Sequence, residues 1–483
     1  MFFNSLDFAI FLPIVFILYW FLANKSLKIQ NLLIVAASYI FYGWWDYRFL
    51  ALILFSTIID YFIGLKLAKE QSLLKRKFLL WTSISVNLGL LGFFKYFNFF
   101  LDNFVTAFSF FGFQINSGSL NIILPVGISF YTFQTLSYTI DIYKGKLEPT
   151  KDFIIFSAFV SFFPQLVAGP IERATHLLPQ FYKKRNFDYS AAIDGLKQIL
   201  WGLFKKVVIA DNCAYFANLI FNNSEDFSGS TLVLGALFFT FQIYGDFSGY
   251  SDIAIGTSRL FGFDLMKNFA FPYFSRDVAE FWRRWHISLS TWFRDYLYIP
   301  LGGSRGKTWM KVRNTFIIFI VSGFWHGANW TFIIWGGLNA IYFLPLLLTN
   351  RNRNNVDIVA LEKKLPSLKE FLNVLITFSL TVLAWIFFRA ENVTHASNYI
   401  SEIFSSSLLS MPLFPDMSMA LTTIILIFIF VSIEWVGRQD EYAIERIGLK
   451  WKKQFRYGMY YIIALVIMYF GNFGENQFIY FQF

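Results

Sequence analysis

Residues 314–348 read NTFIIFIVSGFWHGANWTFIIWGGLNAIYFLPLLL, a run that contains no Asp, Glu, Lys or Arg. An apolar segment of roughly 18 residues or more with few charges is typical of a helix that crosses a lipid bilayer. Within lipid every backbone polar group needs an internal partner, so a spanning segment must be helical. This stretch therefore predicts a membrane protein built from helices.

The composition of the whole chain also indicates lipid as its main solvent. Of the 483 residues, 56% are hydrophobic, 22% are aromatic and 15% are charged, whereas soluble domains carry roughly 25% charged residues. We therefore expect an all-α, polytopic integral membrane protein with roughly 11–13 transmembrane helices. The other apolar segments lie at residues 8–22, 31–45, 49–65, 78–94, 97–113, 120–138, 153–167, 232–244, 371–388, 421–436 and 457–470.

The net charge and the cysteine count argue against several classes of protein. The net charge is +10, but in a membrane protein Lys and Arg gather in cytoplasmic loops, so this charge does not indicate nucleic acid. Cys213 is the single cysteine, and it can supply neither an internal disulfide nor the paired cysteines of a zinc or redox site. We expect membrane lipids as partners, no nucleic acid, no metal and no bound cofactor.

Polar residues are concentrated in the middle of the chain. From Pro125 to Ala340 the apolar segments are interrupted by Gly, Pro, Asp, Arg and His, which lipid-facing helices avoid because each buried polar group needs a partner. Residues 1–119 and 370–483 are plainer peripheral helices, and residues 351–364 form a polar linker. Since no repeat divides the chain, residues 1–483 are expected to form a single membrane domain with a motif-rich core at about 120–345.

His326 is the first candidate for chemistry among the four histidines. It lies inside the long apolar stretch, where an imidazole must find a polar partner or face water. At helical spacing, Asn329 and Trp330 share its face. Such a histidine either serves a function or acts as a hydrogen-bonded packing group between helices, and the first interpretation is preferred. His176 and His395 are expected to be loop histidines without a role.

His286 lies in the segment FWRRWHISLSTWFRDYLYIPLGG, residues 281–303. A helix through this segment places Trp282, His286 and Ser290 on one face, and the Pro-Leu-Gly-Gly sequence at 300–303 ends it. The segment either carries a site or forms an interfacial belt of Trp and Arg at the level of the lipid headgroups. Its other charged candidates are Arg283, Arg284 and Asp295.

Two carboxylates follow an apolar run in YGDFSGYSDIAIG, residues 244–256. Asp246 and Asp252 lie close to Ser248 in this stretch, and carboxylates near a bilayer are costly to bury. They can orient a histidine, bind a sugar hydroxyl, or pair with Arg283 and Arg284 in a buried structural network. The structural pairing is the preferred interpretation.

Common enzyme templates fail on spacing. Neither His326 nor His286 begins a His-x4-Asp motif, because Thr331 and Thr291 occupy the fifth positions. HExxH, the phosphate loop GxxxxGK[ST], the G-x-S-x-G nucleophile elbow and a DxD pair do not occur. The remaining chemistry is general-base catalysis by a neutral, buried histidine, which can deprotonate a hydroxyl that attacks a thioester.

Five motifs together closely resemble the membrane-bound O-acyltransferase family, in its bacterial alginate O-acetylation branch. The resemblance extends from the amino terminus to near the end of the chain. It implies an integral membrane enzyme whose helices, some broken or re-entrant, surround a central catalytic tunnel, and which moves an acyl group from a thioester to a hydroxyl. Besides residues 281–303, the motifs are GFWHGANWTFIIWGGLNA (323–340), DFSGYSDIAIG (246–256), AGPIERATHLLPQF (168–181) and SFYTFQTLSYTIDIYKG (129–145).

The resemblance implies roles for the two histidines. His326 matches the catalytic histidine of the family and is expected to act as general base on the acceptor hydroxyl. His286 matches the second histidine of this branch and is expected to act as an acid, a positioner or a donor-channel residue. Residues expected to line the donor tunnel or to support the site are Trp282, Arg283, Arg284, Asp295, Asp246, Ser248, Asp252, Trp325 and Asn329.

The resemblance also implies substrates and partners. Acetyl-CoA is the expected donor on the cytoplasmic side, and the acceptor beyond the bacterial inner membrane is an exopolysaccharide or cell-wall glycan such as alginate. An extracytoplasmic acetyltransferase partner is expected to complete the transfer. Peptidoglycan O-acetylation and D-alanyl transfer to teichoic acid from a carrier protein stay open, and a flippase or transporter with proton-relaying histidines is the non-enzyme alternative.

Overall fold

The computed structural model describes residues 1–110, 120, 122–473 and 478–479. Among these residues, helices are the only regular secondary structure. The chain divides into two compact units, one formed by Met1–Ala192 with Thr257–Met266 and the other by Ile193–Gly256 with Lys267–Phe483. The single domain with a core at about 120–345 stays a prediction.

Among its described residues, the first unit wholly contains nine α-helices. A π-helical turn at Gly92–Tyr96 joins α4 to α5 in one helical run, Leu73–Phe110. The two separate spans predicted at 78–94 and 97–113 are therefore wrong, because the π turn absorbs an extra residue without ending the helix; residues 111–113 lie outside the described part. The helices are α1 (Leu6–Ile17), α2 (Leu27–Gly43), α3 (Leu50–Lys69), α4 (Leu73–Leu91), α5 (Phe97–Phe110), α6 (Ile128–Tyr143), α7 (Phe153–Ser161), α8 (Phe163–Leu166) and α9 (Ala174–Leu177).

The second unit contains the candidate histidines. Two of its helices are short and broken, α13 (Val278–Arg284) and α14 (Ile287–Phe293), and a π-helical turn at Arg294–Tyr298 follows them. The other helices are α10 (Tyr189–Leu203), α11 (Asp211–Asn222), α12 (Gly229–Leu260), α15 (Thr308–His326), α16 (Trp330–Leu348), α17 (Leu368–Arg389), α18 (Val393–Ile403), α19 (Met417–Val436) and α20 (Lys453–Phe470).

In the described part of the chain, seven helical segments are long and apolar enough to cross a membrane, and α2 is a shorter apolar helix. This result confirms the all-α, polytopic membrane class. The total of roughly 11–13 spans stays a prediction. The seven segments are Leu6–Lys25, Tyr47–Lys69, Leu73–Phe110, Gly229–Leu260, Trp330–Leu348, Leu368–Arg389 and Met417–Val436.

The long apolar stretch at 314–348 forms an antiparallel hairpin of two helices, α15 and α16. The backbones touch at two glycines: a Cβ atom on Gly323 would lie 2.2 Å from the carbonyl oxygen of Phe332, and one on Gly336 would lie 2.3 Å from that of Phe319. Only a residue without a side chain fits so close an approach. Glycine at these two positions therefore lets the hairpin close.

The chain reverses directly after His326. The Asn329 side chain caps α16 by accepting a hydrogen bond from the Thr331 backbone N–H at 3.0 Å, the usual role of Asn at a helix start. Because α15 ends at His326, the prediction that Asn329 and Trp330 continue the helical face of His326 is wrong. The Asn329 cap therefore marks a helix break that the hydropathy of residues 314–348 does not predict.

Candidate functional site

A cavity of about 600 Å³ in the second unit is lined by both candidate histidines. Trp282, His286 and Ser290 reach it from the broken segment α13–α14, and Ser322 and His326 reach it from the last turns of α15. The prediction of one helix through Trp282, His286 and Ser290 is wrong, because the helix breaks at Trp285 and His286; all three side chains nevertheless line the cavity. The two imidazoles, 40 positions apart in sequence, thus belong to one site.

A glycine turn returns the chain from α14 to α15. Gly302 and Gly303 have φ angles of +103° and +57°, a region that favours glycine. The side chain of Asn314 on α15 donates hydrogen bonds to the carbonyl oxygens of Leu301 at 3.3 Å and Gly303 at 3.1 Å. The predicted end of the helix at 300–303 is therefore correct, and Asn314 ties this turn to the helix that carries His326.

The backbone bends sharply at His286. This residue adopts the left-handed conformation, with φ +43° and ψ +55°, which costs a residue other than glycine on the order of 1–3 kcal/mol. Extended residues before α13 support the bend, since the Ala270 N–H donates to the Arg284 carbonyl at 3.0 Å and the Ile287 N–H donates to the Asn268 carbonyl at 2.9 Å. The strained turn directs the imidazole into the cavity wall.

Asn268 determines the tautomer of the His286 ring. Its Oδ1 accepts from the backbone N–H of Ser288 at 3.4 Å and from the Ser288 hydroxyl at 2.9 Å, and a backbone N–H can only donate. The same Oδ1 lies 2.9 Å from Nδ1 of His286, so Nδ1 carries the proton. Nε2 of His286 therefore holds a lone pair; it is buried and makes no hydrogen bond to any described residue.

Burial keeps the His286 ring neutral. The residue is 1% exposed, and the ring of Phe247 packs against it edge to face with centroids 4.6 Å apart. Because the imidazolium would lose its hydration, the pKa of His286 falls from its usual 6.5 to about 3. At neutral pH the ring can accept a hydrogen bond or a proton at Nε2.

His326 is enclosed by aromatic rings at the end of α15. The centroids of Trp335 and Phe388 lie 5.1 Å and 5.2 Å from that of His326. Trp325 touches both imidazoles, with centroids 4.9 Å from His326 and 6.0 Å from His286. Aromatic rings therefore surround His326 at this end of the cavity.

One face of α15 forms a wall of the cavity over nearly its whole length. Lys311, Thr315, Phe319, Ser322 and His326 all line it, at the spacing of a single helical stripe. With a rise of 1.5 Å per residue, the wall from Lys311 to His326 is about 22 Å long. The cavity is therefore an elongated channel with His326 near one end.

The opposite end of the channel is cationic and polar. Lys311 is half-buried, and the lining residues Arg294 and Arg353 are exposed. The segment after α16 contributes Asn350 and Asn352 to the same end. Anionic groups of a bound molecule would find complementary charge at this mouth.

The other predicted residues of the 281–303 segment support the cavity from outside its lining. Arg283 donates to the carbonyl oxygen of Asn352 at 2.8 Å, which holds the segment after α16 in place. Arg284 forms an ion pair with the buried Glu280 at 2.7 Å, and Asp295 pairs with Arg294 at 2.7 Å. Trp325, besides its contacts with both imidazoles, and the cap residue Asn329 also stand outside the described lining.

The carboxylates of α12 pair with lysines. Lys206 lies 2.9 Å from Asp246, and Lys205 lies 2.6 Å from Asp252. The preferred interpretation, that these carboxylates pair with Arg283 and Arg284 in a buried structural network, is therefore wrong in its partners, because the carboxylates form ion pairs with lysines instead. A π-helical turn, Phe204–Ala210, supplies both lysines. Ser248, on α12, is buried and does not belong to the described lining of the cavity.

Sequence reasoning missed several residues of the site, among them Asn268, Lys311 and Arg353. Lys311 could have been found, since it lies on the helical stripe that leads to His326. Asn268 and Arg353 carry no local signal because their positions depend on how separate segments meet. Among the described residues, no group of three or more His, Cys, Asp or Glu side chains is placed to hold a metal ion.

The two remaining histidines lie apart from this cavity lining. His176, in the first unit, belongs to the short helix α9 and forms ion pairs with the buried Glu172 at 2.7 Å and with Asp264 at 3.6 Å. His395 on α18 lies 3.1 Å from the Ser224 hydroxyl. The prediction that both lie in loops is wrong, because His176 and His395 belong to helices α9 and α18; their expected lack of a role stays a prediction.

The apolar spans and the buried histidine channel define a polytopic membrane protein with a candidate site in its second unit. The family model of the membrane-bound O-acyltransferases matches residues 150–388, a range that includes both site histidines. Together with the relatives described next, this match shows that the chain belongs to the membrane-bound O-acyltransferase family. It is accordingly an O-acyltransferase enzyme.

Curated relatives cover most of the chain. It is similar to a probable alginate O-acetylase from Pseudomonas aeruginosa, with 41% identity over 403 residues, 82% of this chain and 73% of the relative. It is 39% identical to a peptidoglycan O-acetyltransferase from Helicobacter pylori, over 80% of this chain and 76% of that protein. A teichoic acid D-alanyltransferase from Streptococcus thermophilus is 30% identical over 56% of this chain and 70% of the relative. The resemblance drawn from the motifs is thereby confirmed.

Proposed function

We propose that the protein moves an acetyl group from cytoplasmic acetyl-CoA across a bacterial inner membrane, for O-acetylation of an exopolysaccharide or cell-wall glycan such as alginate. The observation that carries the proposal is one channel with His286 and His326 at one end and Lys311, Arg294 and Arg353 at the other. The names of two of the relatives, an alginate O-acetylase and a peptidoglycan O-acetyltransferase, support an acetyl donor.

The cationic mouth supports a phosphate-bearing donor that enters from the cytoplasm. Lys and Arg side chains bind phosphate well, and CoA carries its phosphates at the end remote from the acetyl thioester. Lys and Arg also accumulate in cytoplasmic loops, and residues 305–313 and 351–353 beside the mouth contain six of them, Arg305, Lys307, Lys311, Arg313, Arg351 and Arg353. The thioester would then extend along α15 toward His326.

His326 is the proposed general base. Its lone pair takes the proton of the acceptor hydroxyl while the hydroxyl oxygen bonds to the thioester carbonyl carbon. When the tetrahedral intermediate collapses, the C–S bond breaks and the imidazolium returns the proton to the departing thiolate. The aromatic rings of Trp335 and Phe388 limit water near His326, which favours transfer over hydrolysis.

His286 is the proposed positioner. Its Nε2 holds a lone pair within the channel wall, and this atom can accept an N–H or O–H of a bound substrate. Donation as an acid would need a proton on Nε2, which burial opposes by lowering the pKa to about 3. Of the three roles that the resemblance implied, positioning fits this geometry best.

The acceptor and the partner complete the proposal. The acceptor is expected to approach His326 from the extracytoplasmic side, and an extracytoplasmic acetyltransferase is expected to hand the acetyl group to the final glycan. Peptidoglycan as acceptor and D-alanyl transfer from a carrier protein are the alternatives that an assay must separate.

The test is acyl transfer by the purified protein in lipid nanodiscs with cell-envelope extract. Radiolabelled acetyl-CoA and a D-alanyl carrier protein are supplied in separate reactions, with His395→Ala as the control variant. We expect free CoA and labelled glycan ester in the reaction with acetyl-CoA, and no ester in the reaction with the D-alanyl carrier protein. Ester formation only in the reaction with the D-alanyl carrier protein would overturn the proposed donor.

A further inference from the structure

A second cavity of the same unit, the apolar groove, has a volume of about 690 Å³. Its walls come from α17 and α19, and its floor includes Phe241, Tyr244 and Tyr273. No described residue lines both this groove and the histidine channel. The groove is thus distinct from the histidine channel.

The groove opens toward the hydrocarbon of the bilayer. Both of its walls are among the seven segments able to cross a membrane. On α17, Phe371, Leu375 and Phe378 line the groove at helical spacing, and this stripe extends about 10 Å along the helix. Phe371 and Phe428 are 53% and 74% exposed, so large apolar side chains face the space that lipid tails occupy.

One end of the groove is fixed to a loop rich in lysine. Leu365 and Pro366 line this end, and the indole of the lining residue Trp435 donates to the carbonyl of Lys364 at 2.9 Å. Arg438 stacks over the Trp435 ring at 4.1 Å and donates to the Lys363 carbonyl at 2.6 Å. The loop before α17 is therefore held against the mouth of the groove.

The charge of this end is positive. Lys363, Lys364 and Lys369 are exposed, and the exposed acid beside them is Glu362. Glu370 caps the start of α17, where its carboxylate accepts a hydrogen bond from the backbone N–H of Ser367 at 2.9 Å. Three exposed lysines against one exposed acid leave a net positive patch where α17 begins and α19 ends.

We infer that the apolar groove binds an anionic glycerophospholipid. One acyl chain lies along the stripe of α17, and the headgroup phosphate lies near Lys363, Lys364 and Lys369. Apolar walls alone would accept any membrane lipid, whereas the lysines select a negative headgroup. At low ionic strength each lysine near a membrane surface contributes about a fivefold preference for anionic lipid.

The test is native mass spectrometry of the delipidated, detergent-solubilised full chain. Phosphatidylglycerol and phosphatidylcholine with identical acyl chains are titrated separately. The wild type is expected to bind phosphatidylglycerol at least about tenfold more tightly. The triple variant Lys363→Gln, Lys364→Gln, Lys369→Gln should lose this preference and keep its affinity for phosphatidylcholine.

A second variant tests the groove itself. Val374→Trp fills the lining of the groove and should abolish stoichiometric binding of both lipids, whereas Leu372→Trp, on an exposed face of α17 outside the described lining, should not. Lys450→Gln with Lys452→Gln is the charge control and should keep the preference. Unchanged lipid binding by Val374→Trp, or an unchanged preference in the triple lysine variant, would overturn the inference.

Discussion

Nδ1 of His286 donates a hydrogen bond to Oδ1 of Asn268 at 2.9 Å, and this contact leaves Nε2 as the basic nitrogen of a buried, neutral ring. Asn268 is itself 0% exposed and donates from Nδ2 to the Ser251 hydroxyl on α12 at 3.0 Å. A residue outside the channel lining thus determines what the second site histidine can do. The relationship is comparable to the outer groups that orient metal-bound histidines in other proteins.

Replacement of Asn268 should change the pH profile of acetyl transfer. In Asn268→Asp, a carboxylate beside Nδ1 favours the imidazolium, so the pKa of His286 rises from about 3. Because the reaction needs Nε2 of His286 unprotonated as well as a neutral His326, the acid limb of the kcat profile should become steeper, and it should move to higher pH once the pKa of His286 exceeds that of His326. The measurement is kcat against pH for labelled acetyl transfer.

Asn212→Ala is the matched control for this change. Asn212 also donates a side-chain hydrogen bond within the second unit, to the Phe470 carbonyl at 2.8 Å, but it does not contact His286. It should lower stability without moving the acid limb. An identical pH profile in wild type and Asn268→Asp would contradict the positioning role of Asn268.

The low pKa of His286 predicts acid sensitivity of the fold. The native ring binds a proton only near pH 3, whereas in the unfolded chain it does so at its usual 6.5. The unfolded state therefore binds more protons between these values, and stability falls as the pH drops through this window by up to about 1.4 kcal/mol per unit. Melting temperatures of wild type and His286→Gln at pH 7.5 and 4.5 should show a smaller acid-induced loss in the variant.

His176→Gln should show the opposite dependence of folding stability on pH. Its neighbours Asp264 and Glu172 raise the pKa of His176 to about 10, so its stabilising contribution is complete below pH 6.5 and is lost as the pH rises toward 10. The difference between wild type and this variant should shrink on the alkaline side only. If His286→Gln showed this alkaline pattern, the assignment of a neutral native ring would fail.

The glycine contact between α15 and α16 should control the position of His326. In Gly336→Ala the new Cβ would lie 2.3 Å from the Phe319 carbonyl oxygen, so the helices must separate, at a cost of about 1–3 kcal/mol. We expect lower thermal stability and slower acetyl transfer. Gly337→Ala is the control, because nothing lies within 4 Å of its Cβ position; equal losses in the two variants would argue against the contact.

The cationic mouth should govern the affinity for the donor. Arg353→Gln is expected to raise the KM for acetyl-CoA about fivefold at low salt, with kcat nearly unchanged, since the lost charge lies far from the reacting atoms. Arg351→Gln removes a neighbouring exposed charge outside the described lining and should have little effect. A KM that is the same in all three proteins would place the donor elsewhere.

Sequence patterns located the lipid-facing helices well, because hydropathy reports directly on the solvent. The segments predicted at 371–388 and 421–436 correspond to α17, which extends beyond both predicted ends, and to α19, which begins four residues earlier and ends at the predicted residue. Apolarity does not report where a chain reverses, so the turn after His326 inside residues 314–348 was missed. That turn depends on the Asn329 cap and on glycine packing between two helices.

The sequence predicted the two histidines of the site but not the residues that surround them. His286 and His326 stand out because ionisable groups are rare in apolar sequence. The Lys206–Asp246 pair and the Asn268–His286 bond join residues that are 40 and 18 positions apart. No local periodicity describes such contacts, since they follow from tertiary packing.

The most direct test of the proposed mechanism is labelled acetyl transfer by His326→Ala in lipid nanodiscs, beside wild type and His395→Ala, with size exclusion as the folding check. General-base catalysis predicts that His326→Ala loses about 10²–10⁴ in kcat while it still binds acetyl-CoA, and that His395→Ala matches wild type. A folded His326→Ala protein that transfers acetyl groups at the wild-type rate would contradict the account.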